Sequence, residues 1–397
     1  MFSRHLAPTA AAVAFLVTVA APGRAAAFLE GDCTALPNPL LGVGGSASKP
    51  LIAKIAPALR KAAEPITVVY QAPGACFGIT TYVDGTPVTG TASYWDEDGS
   101  EQTCNFPVVG VAPDFGMLGV QGTLCEGVSE LPAGIGEFTG PITSWSLIVP
   151  SASSQTSISA QAVYFIYGFG AALGKVSPWT VDAELYGRNA TSAALIAIAL
   201  AAGVPPTKFK GTDVMSNQAM ISSLAMSVNP EAALGFVSTE VADLNRDSVR
   251  TLAFQAVDQA CGYWPDSSAT AFDKRNVRDG HYNLWSPYRF YTPVDDGGRI
   301  SDPVTARFIG FFTGEVEPPP ELPLLDTIID NGNIPACAMQ VWRDTEIGPL
   351  YSAQQDAPCG CYYEYRATGE TSCGACTADA DCGSDSPTCR HGFCEVI

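Results

Sequence analysis

Strand-like apolar segments alternate with amphipathic helical segments along most of this chain, and this alternation constrains its fold more than any other feature. Buried strands are predicted over 65–72, 144–151 and 232–238, and amphipathic helices over 157–170 and 301–314. Such alternation predicts an α/β body built on a mostly parallel sheet. A hydrophobic content of 47% with 15% charged residues agrees with a sizeable core.

The N-terminal segment 1–27 has the organisation of a secretory signal peptide. Arg4 supplies a positive charge, residues 10–21 form an apolar run, and three alanines at 25–27 provide a small-residue cleavage site. A buried N-terminal helix is the alternative. We therefore expect a periplasmic or secreted protein, and no later apolar stretch is long enough to predict a membrane span.

The chain is strongly acidic, with a formal net charge of −19. A surface of this sign repels nucleic acids and anionic membranes, so neither is an expected partner. It also gives no long-range attraction for a small anion. An anion site in this protein must therefore act locally, through aimed N–H groups and one or two cations.

Thirteen cysteines are spread unevenly, with eight of them after residue 336. In an exported chain they predict disulfides first, although their pairing cannot be read from the sequence. The alternative is zinc, since Cys359, Cys361, Cys373 and Cys376 have spacings that can hold this metal. The odd total leaves one cysteine free or paired between chains.

The composition changes sharply near the C-terminus. A proline-rich segment over 315–323 is predicted to be a stiff linker. The residues beyond it, 324–397, are predicted to form a small disulfide-rich module.

Small polar residues are concentrated at three junctions where a predicted strand meets a helix or turn: 44–48, 73–76 and 188–192. In α/β sheets ligands bind at the carboxyl ends of strands, where helix N-termini present free N–H groups to anions. Arg188 stands just before a predicted helix start, where a cation is electrostatically disfavoured. Either it grips an anion, or it pairs with a nearby acid such as Asp182 or Glu184.

The order of these segments resembles that of the periplasmic phosphate-binding proteins of ABC importers, in the type 2 periplasmic binding protein superfamily. The resemblance runs from about residue 39 to 314 and is carried by GVGGSASKP, VVYQAPGACFGI, VAPDFGMLGV, GRNATSAAL and NPEAALGFVS. It implies an α/β fold with two lobes and a ligand cleft between them. Lobe one would comprise 32–143 and 285–314, and lobe two would comprise 144–284.

The resemblance also implies the ligand-binding positions, which come from the three junctions. They are Ser46, Ala47, Ser48, Ala75 through its backbone amide, Arg188, Thr191 and Ser192.

This chain departs from the family pattern at two hydroxyl donors, a serine and a threonine, and at an aspartate that accepts the proton of hydrogen phosphate. Ala193 and Ala194 stand where the family has Gly-Thr, Ala75 replaces the serine, and Gly119 stands at the acceptor position.

The function implied is that of an exported solute-binding protein for a small anion such as phosphate, with an ABC permease as a possible partner. The alternative is a repurposed binding-protein fold that captures a surface partner through its Cys-rich module. We expect no enzymatic activity, because no acid–base pair, Ser/His/Asp set or metal-ligand histidine cluster is visible. No cofactor or metal is expected.

Overall fold

The computed structural model describes residues 31–353, 355, 357–384 and 386–395. The strands of its large sheet are β1 Pro39–Gly44, β2 Thr67–Gln71, β3 Val88–Trp95, β4 Glu101–Val111, β5 Phe115–Leu118, β6 Ile135–Pro150, β10 Gly235–Ser238, β11 Val249–Thr251 and β13 Trp285–Pro293. Shorter paired strands are β7 Ser157–Ser159, β8 Tyr186–Gly187, β9 Thr212–Asp213, β12 Ala253–Gln255, β14 Val341–Trp342, β15 Tyr351–Ser352, β16 Thr388–Arg390 and β17 Phe393–Glu395.

The large sheet is mixed, with the order β10-β6-β13-β5-β1-β2-β3-β4 and with β11 paired to β6. Within it only the two pairings of β1, with β2 and with β5, are parallel. The prediction of a mostly parallel sheet is therefore wrong, whereas the α/β class is confirmed. Strands β6 and β13 pair in antiparallel orientation, and β3 and β4 form an antiparallel hairpin at the sheet edge.

Strand β6 lies between β13 and β10 in the sheet. Up to Ser144 it pairs with β13, and from Trp145 it pairs with β10. This change of partner coincides with the predicted lobe boundary between 143 and 144, and the division into lobes itself stays a prediction.

The helices cover the sheet and the C-terminal segment. They are α1 Lys49–Lys61, α2 Phe77–Val83, α3 Ala160–Phe169, α4 Ala171–Gly174, α5 Ala193–Ala202, α6 Asn217–Ala225, α7 Thr239–Leu244, α8 Arg275–Arg278, α9 Pro303–Thr313, α10 Leu324–Asp330 and α11 Gly360–Thr368. Helix α5 is apolar on every side and is buried except at Leu200, so it lies inside the core rather than on its surface.

Several helix starts follow the sequence signals. The side chains of Ser159, Ser216 and Asp302 accept hydrogen bonds from the N–H groups three residues later, which fixes the first turns of α3, α6 and α9. Helix α5 differs, because the hydroxyl of its N-cap residue, Ser192, makes no capping bond. Its first N–H groups therefore have no partner within the helix.

The C-terminal segment is disulfide-rich as predicted, and its bonds are Cys337–Cys359, Cys361–Cys373, Cys376–Cys389 and Cys382–Cys394. Two further bonds, Cys33–Cys104 and Cys76–Cys125, lie in the body. Cys261 is the free, exposed cysteine of the described chain. The zinc alternative is contradicted, because every cysteine proposed for it is bonded to another sulfur and cannot ligate as a thiolate.

This segment also contributes to the core of the body. Leu322, Leu324 and Ile328 pack in the same buried cluster as α1, and Ile334 forms a two-residue bridge with Ile142 of β6. The C-terminal segment is therefore packed against the body and is not connected to it by the proline-rich segment alone.

The predicted signal peptide, 1–27, lies outside the described residues. Within the part of the chain that the structure describes, we find no helix with both the length and the apolar character needed to cross a bilayer.

Candidate anion-binding cavity

The three predicted junctions meet around one small cavity, which we call the Arg188 cavity. Its volume is about 30 Å³, which is roughly the space one water molecule takes up in the liquid. Its walls are Gly45, Ser46, Ala47, Ala72, Pro73, Gly74, Ala75, Trp145, Arg188, Asn189, Ser192, Ala193, Ala194, Met215 and Asn217. Of the predicted site residues, Ser46, Ala47, Ala75, Arg188 and Ser192 lie in this lining, whereas Ser48 and Thr191 do not.

The first junction follows β1. A side chain at Gly44 would collide with the Met117 carbonyl oxygen, 2.1 Å from the Cβ position, so the strand can end close to β5 only with glycine here. Ser46 and Ala47 then face the cavity. Ser48 is buried instead, because its hydroxyl donates to the Gly45 carbonyl at 2.9 Å and lies 2.6 Å from the Tyr70 hydroxyl.

The second junction joins β2 to α2 and lies directly against the third. The Cys76 N–H donates to the Thr191 carbonyl at 3.1 Å, and the Cβ position of Gly74 is only 2.5 Å from the Thr191 hydroxyl. The Cys76–Cys125 disulfide anchors this junction to the turn after β5. These contacts hold the second and third junctions together beside the cavity.

The third junction carries the positive charge and the start of α5. Thr191 is turned away from the cavity lining, because its N–H and hydroxyl both bond the Asn189 side-chain oxygen, at 3.1 and 2.6 Å. Ser192, Ala193 and Ala194 form part of the wall, which places the first turn of α5 at the cavity. The uncapped N–H groups of this turn favour an anion.

Arg188 is held from one side only. Its Nη1 donates to the Asn217 side-chain oxygen at 3.0 Å and its Nη2 to the Met215 carbonyl at 3.3 Å, while its buried Nε has no partner. Burial lowers the pKa of this guanidinium, and the charge of Asp213 partly offsets the shift. The group nevertheless stays charged at any physiological pH.

The acids expected to neutralise Arg188 are engaged elsewhere. Asp182 accepts from the Ala172 N–H at 3.1 Å, and Glu184 accepts from the Ser227 hydroxyl at 2.7 Å. Among the described residues, no carboxylate oxygen lies within 4.0 Å of the Arg188 guanidinium. The alternative of a simple surface ion pair is therefore wrong for these two acids.

Trp145 is a site residue that sequence reasoning missed. It is 1% exposed, it lines the cavity, and its indole Nε1–H has no hydrogen-bond partner. Its ring also explains Gly119, whose Cβ position is 2.8 Å from Trp145 Cζ2. The place where the family resemblance expects an acidic acceptor is occupied by indole, so no side chain fits there without displacing the ring.

Asn217, the first residue of α6, was also missed. Its side-chain oxygen holds Arg188, and its amide nitrogen donates to the Ser238 hydroxyl at 3.2 Å. The signal in the sequence was the Ser216 cap, which places residue 217 at a helix start, but only the tertiary structure brings that start beside Arg188.

The contacts that run from Arg188 through Asn217 to Ser238 end two residues before a buried carboxyl, that of Glu240. Glu240 is 2% exposed and neither of its oxygens has a hydrogen-bond partner. Burial raises the pKa of Glu240 to about 7, and the neighbouring Ser238 hydroxyl and the backbone of Glu240 offset only part of this shift. Glu240 is not part of the cavity wall, so it is a neighbour of the site rather than a ligand in it.

A larger groove opens beside the cavity, between α2 and β3. Its volume is about 630 Å³, and it shares Ala72 and Pro73 with the Arg188 cavity. Many of its wall residues carry hydroxyl groups, among them Thr80, Thr86 and Thr89. It lacks the combination of an unpaired cation and an uncapped helix start.

The described residues offer one group of potential metal ligands. The sulfur atoms of Cys376, Cys382 and Cys394 lie within 4.8 Å of one another. All three belong to disulfides, so the group is a covalent cluster rather than a metal centre.

The fold is found in solved structures of binding proteins. A Clostridium perfringens protein described as a phosphate ABC transporter substrate-binding protein with bound phosphate aligns with a TM-score of 0.50 and 15% identity, over 75% of this chain and 99% of that one. This chain shares its fold. An ABC-type phosphate transport receptor from Vibrio cholerae aligns with a TM-score of 0.47 and 19% identity, over 74% and 99%. No family model and no curated protein sequence matches the chain.

The alignment confirms the resemblance drawn from the order of the sequence segments at the level of the fold. At 15% identity it shows architecture and not ligand choice. The ligand must be argued from the Arg188 cavity itself.

Proposed function

We propose that this chain is an exported solute-binding protein that holds a small, phosphate-like oxyanion in the Arg188 cavity. The observation that carries the proposal is a partly buried arginine with no carboxylate partner and an unpartnered Nε, placed beside the uncapped start of α5. A buried charge is costly unless it is paired, and a bound anion would supply the missing pair. The fold, shared with a phosphate substrate-binding protein, supports the same role.

Binding requires a local opening of the structure. The cavity holds about 30 Å³, and an oxyanion of five heavy atoms is larger than the single water that fits there. The large-scale motion we propose is a hinge movement at β6, the strand that pairs with β13 on one side and β10 on the other. Delivery to an ABC permease is the physiological step we propose for this motion.

The contact network of the C-terminal segment favours a structural role for that segment. Arg278, which lies in the body, donates to the Ala338 and Gly360 carbonyls and pairs with Glu364. These bonds tie the segment to the body, and no observation here favours capture of a partner protein. We therefore do not adopt partner capture as the function.

The test is calorimetric titration of residues 28–397 with phosphate, sulfate and acetate. We expect one site for a tetrahedral anion, with binding lost in Arg188→Gln. The matched control is Arg299→Gln, because Arg299 is exposed and distant from the cavity lining. Absence of heat and of thermal stabilisation with all three anions would retire the proposal.

A further inference from the structure

The groove beside α2 adjoins the Arg188 cavity along one short strip of chain. Ala72 and Pro73 line both spaces. The Phe77 ring lines the groove, and its Cδ2 lies 3.3 Å from the Cβ position of Gly74, which lines the cavity. Pro73 is exposed, and Ala72 and Gly74 are half-buried, so this strip is accessible to solvent. A substituent on an anion bound in the cavity would extend over the strip toward the groove.

The two spaces differ greatly in size. The cavity has a volume of about 30 Å³, and the groove has a volume of about 630 Å³. The groove is within the range of sites that bind small organic ligands, roughly 300–1,000 Å³. An inorganic oxyanion would fill none of this groove. An ester of the same anion would place its organic part there.

Hydroxyl groups without partners line the groove on the sides of α2 and β3. The side chains of Thr80, Thr86 and Thr89 make no hydrogen bond among the described residues, and each hydroxyl can both donate and accept. The Gln71 amide nitrogen donates to the Thr89 and Thr91 carbonyls, at 2.8 and 3.0 Å. This use of the nitrogen leaves the Gln71 side-chain oxygen as an acceptor.

The charges of the groove wall disfavour a second anionic group. Lys49 is the cation among the described residues of this wall, and it is paired with Glu101 at 2.6 Å. Asp84, at the end of α2, is exposed and makes no ion pair among the described residues. An anion in the groove would meet this carboxylate with no free cation to balance it. A cationic group would gain little, because ion pairs at exposed positions are weak.

The same wall offers one aromatic face. Phe77, the first residue of α2, is 42% exposed and lines the groove. Sugars and polyols present C–H groups that can pack on such a ring, while their hydroxyls bond the surrounding oxygens. A purely apolar chain would cover the threonine hydroxyls without bonding them, at a cost in free energy.

We propose that the ligand of this chain is a phosphate monoester of a polyol or sugar, with its phosphate group in the Arg188 cavity and its hydroxylated part in the groove beside α2. This inference rests on the proposed function and specifies the ligand of the same site. The cavity supplies the positive charge for the oxyanion. The groove supplies hydroxyls, an acceptor carboxylate and an aromatic face for the neutral part, and the ester is bound intact.

The experiment is calorimetric titration of residues 28–397 at pH 8 with inorganic phosphate and four monoesters: glycerol 3-phosphate, glucose 6-phosphate, butyl phosphate and phosphoethanolamine. At this pH all five phosphate groups are mainly dianions, so the esters differ in their organic part. We expect at least one polyol ester to bind about tenfold more tightly than butyl phosphate, which corresponds to the gain of one to three net hydrogen bonds.

The other outcomes overturn the inference. Butyl phosphate binding as tightly as both polyol esters would show that the groove hydroxyls contribute nothing. Phosphoethanolamine binding most tightly would assign the groove to a cationic group beside Asp84. Inorganic phosphate binding at least as tightly as every ester would leave the groove outside the site. In these three cases the proposed function stands, whereas absence of binding by all five ligands would overturn both.

A pair of acidic residues tests the groove directly. Asp84→Asn keeps the size of the side chain and removes its charge, so the affinity for the tighter polyol ester, relative to that for inorganic phosphate, should fall about fivefold. Asp247→Asn is the matched control, because Asp247 is also exposed but lines neither space. Equal relative affinities in the two variants would contradict the placement of the hydroxylated part beside Asp84, and far-ultraviolet circular dichroism confirms that both are folded.

Discussion

Two arginines, the partly buried Arg188 at the cavity and the buried Arg278 beneath the C-terminal segment, have opposite surroundings. Arg278 donates Nε to the Ala338 carbonyl, Nη2 to the Gly360 carbonyl and Nη1 to Glu364, at 3.0 to 3.1 Å. Its guanidinium also lies 5.0 Å from the ring centroid of Tyr363. Arg188 donates to the Asn217 side-chain oxygen at 3.0 Å and to the Met215 carbonyl at 3.3 Å. It has no carboxylate partner among the described residues, and its Nε makes no hydrogen bond.

The same contrast holds for the carboxyls. Glu395 accepts from the N–H groups of Cys361 and Tyr362 at 2.9 to 3.0 Å, at the start of α11. Glu240 has no partner for either oxygen. Buried polar groups in folded proteins are nearly always bonded, so exceptions such as Arg188 Nε and the Glu240 carboxyl call for a reason. A ligand supplied from outside is such a reason for Arg188, whereas the groups of the C-terminal segment are complete and structural.

The largest expected effect is a difference in the free energy of unfolding between variants of the two arginines. Arg278→Leu should lower the free energy of unfolding by about 3 kcal/mol, because it leaves Glu364 and two carbonyls without their partner. Arg188→Leu should change it by less than about 1 kcal/mol, because it removes a partly buried charge that makes only two hydrogen bonds within the protein. Urea denaturation with the disulfides intact measures both, and equal losses would contradict the contrast.

The second prediction concerns the pH dependence due to Glu240. Its folded-state pKa is raised from 4.5 to about 7, so the folded protein binds this proton more tightly than the unfolded chain does. The contribution to stability is therefore fully present below pH 4.5 and is lost as the pH rises to 7. Glu240→Gln should raise the free energy of unfolding at pH 8 by about 2–3 kcal/mol and flatten its decline between these pH values.

Glu395→Gln is the matched control for Glu240→Gln. It should lower stability by about 1 kcal/mol, because a neutral amide accepts more weakly from the start of α11. Denaturation curves at pH 5 and pH 8 distinguish the two variants. A Glu240→Gln protein that is less stable than wild type at pH 8 would show that the ionised carboxylate has a partner after all.

The smallest expected effect compares helix caps. Ser159→Ala removes the bond to the Ala162 N–H and should cost about 1 kcal/mol. Ser192→Ala removes no capping bond, so it should cost less than about 0.5 kcal/mol while weakening anion binding. A full capping penalty at Ser192, or unchanged affinity, would assign this hydroxyl to the helix instead of the cavity.

The sequence was most informative where local chemistry decides the structure. Ser46 and Ser192 were predicted from small polar residues at strand ends and helix starts, and Arg188 from its place just before a helix start and from the family resemblance; the structure brings all three to one cavity. Ser48 and Thr191 have the same local pattern, but their hydroxyls bond within their own junctions or to Tyr70. Nothing in their spacing distinguishes a hydroxyl that faces inward from one that faces a ligand.

The features that could not be predicted from the sequence depend on contacts between residues that lie far apart in the chain. Asn217 meets Arg188 from 29 residues away, and Trp145 meets Gly119 across neighbouring elements of the fold. The six disulfide pairings and the antiparallel course of β6 and β13 are likewise tertiary facts. The resemblance to a known family predicted the fold, which is confirmed, while the acceptor position it implied is closed by an indole.

The most direct test of the account is a crystal of residues 28–397 grown with selenate, a sulfate analogue whose selenium is located by anomalous scattering. We predict one selenium peak in the Arg188 cavity, with oxygens within hydrogen-bond distance of the Arg188 guanidinium and the Ala193 or Ala194 N–H. A selenium peak in the groove beside α2, or no peak although selenate stabilises the protein in solution, would contradict the assignment of this cavity as the anion site.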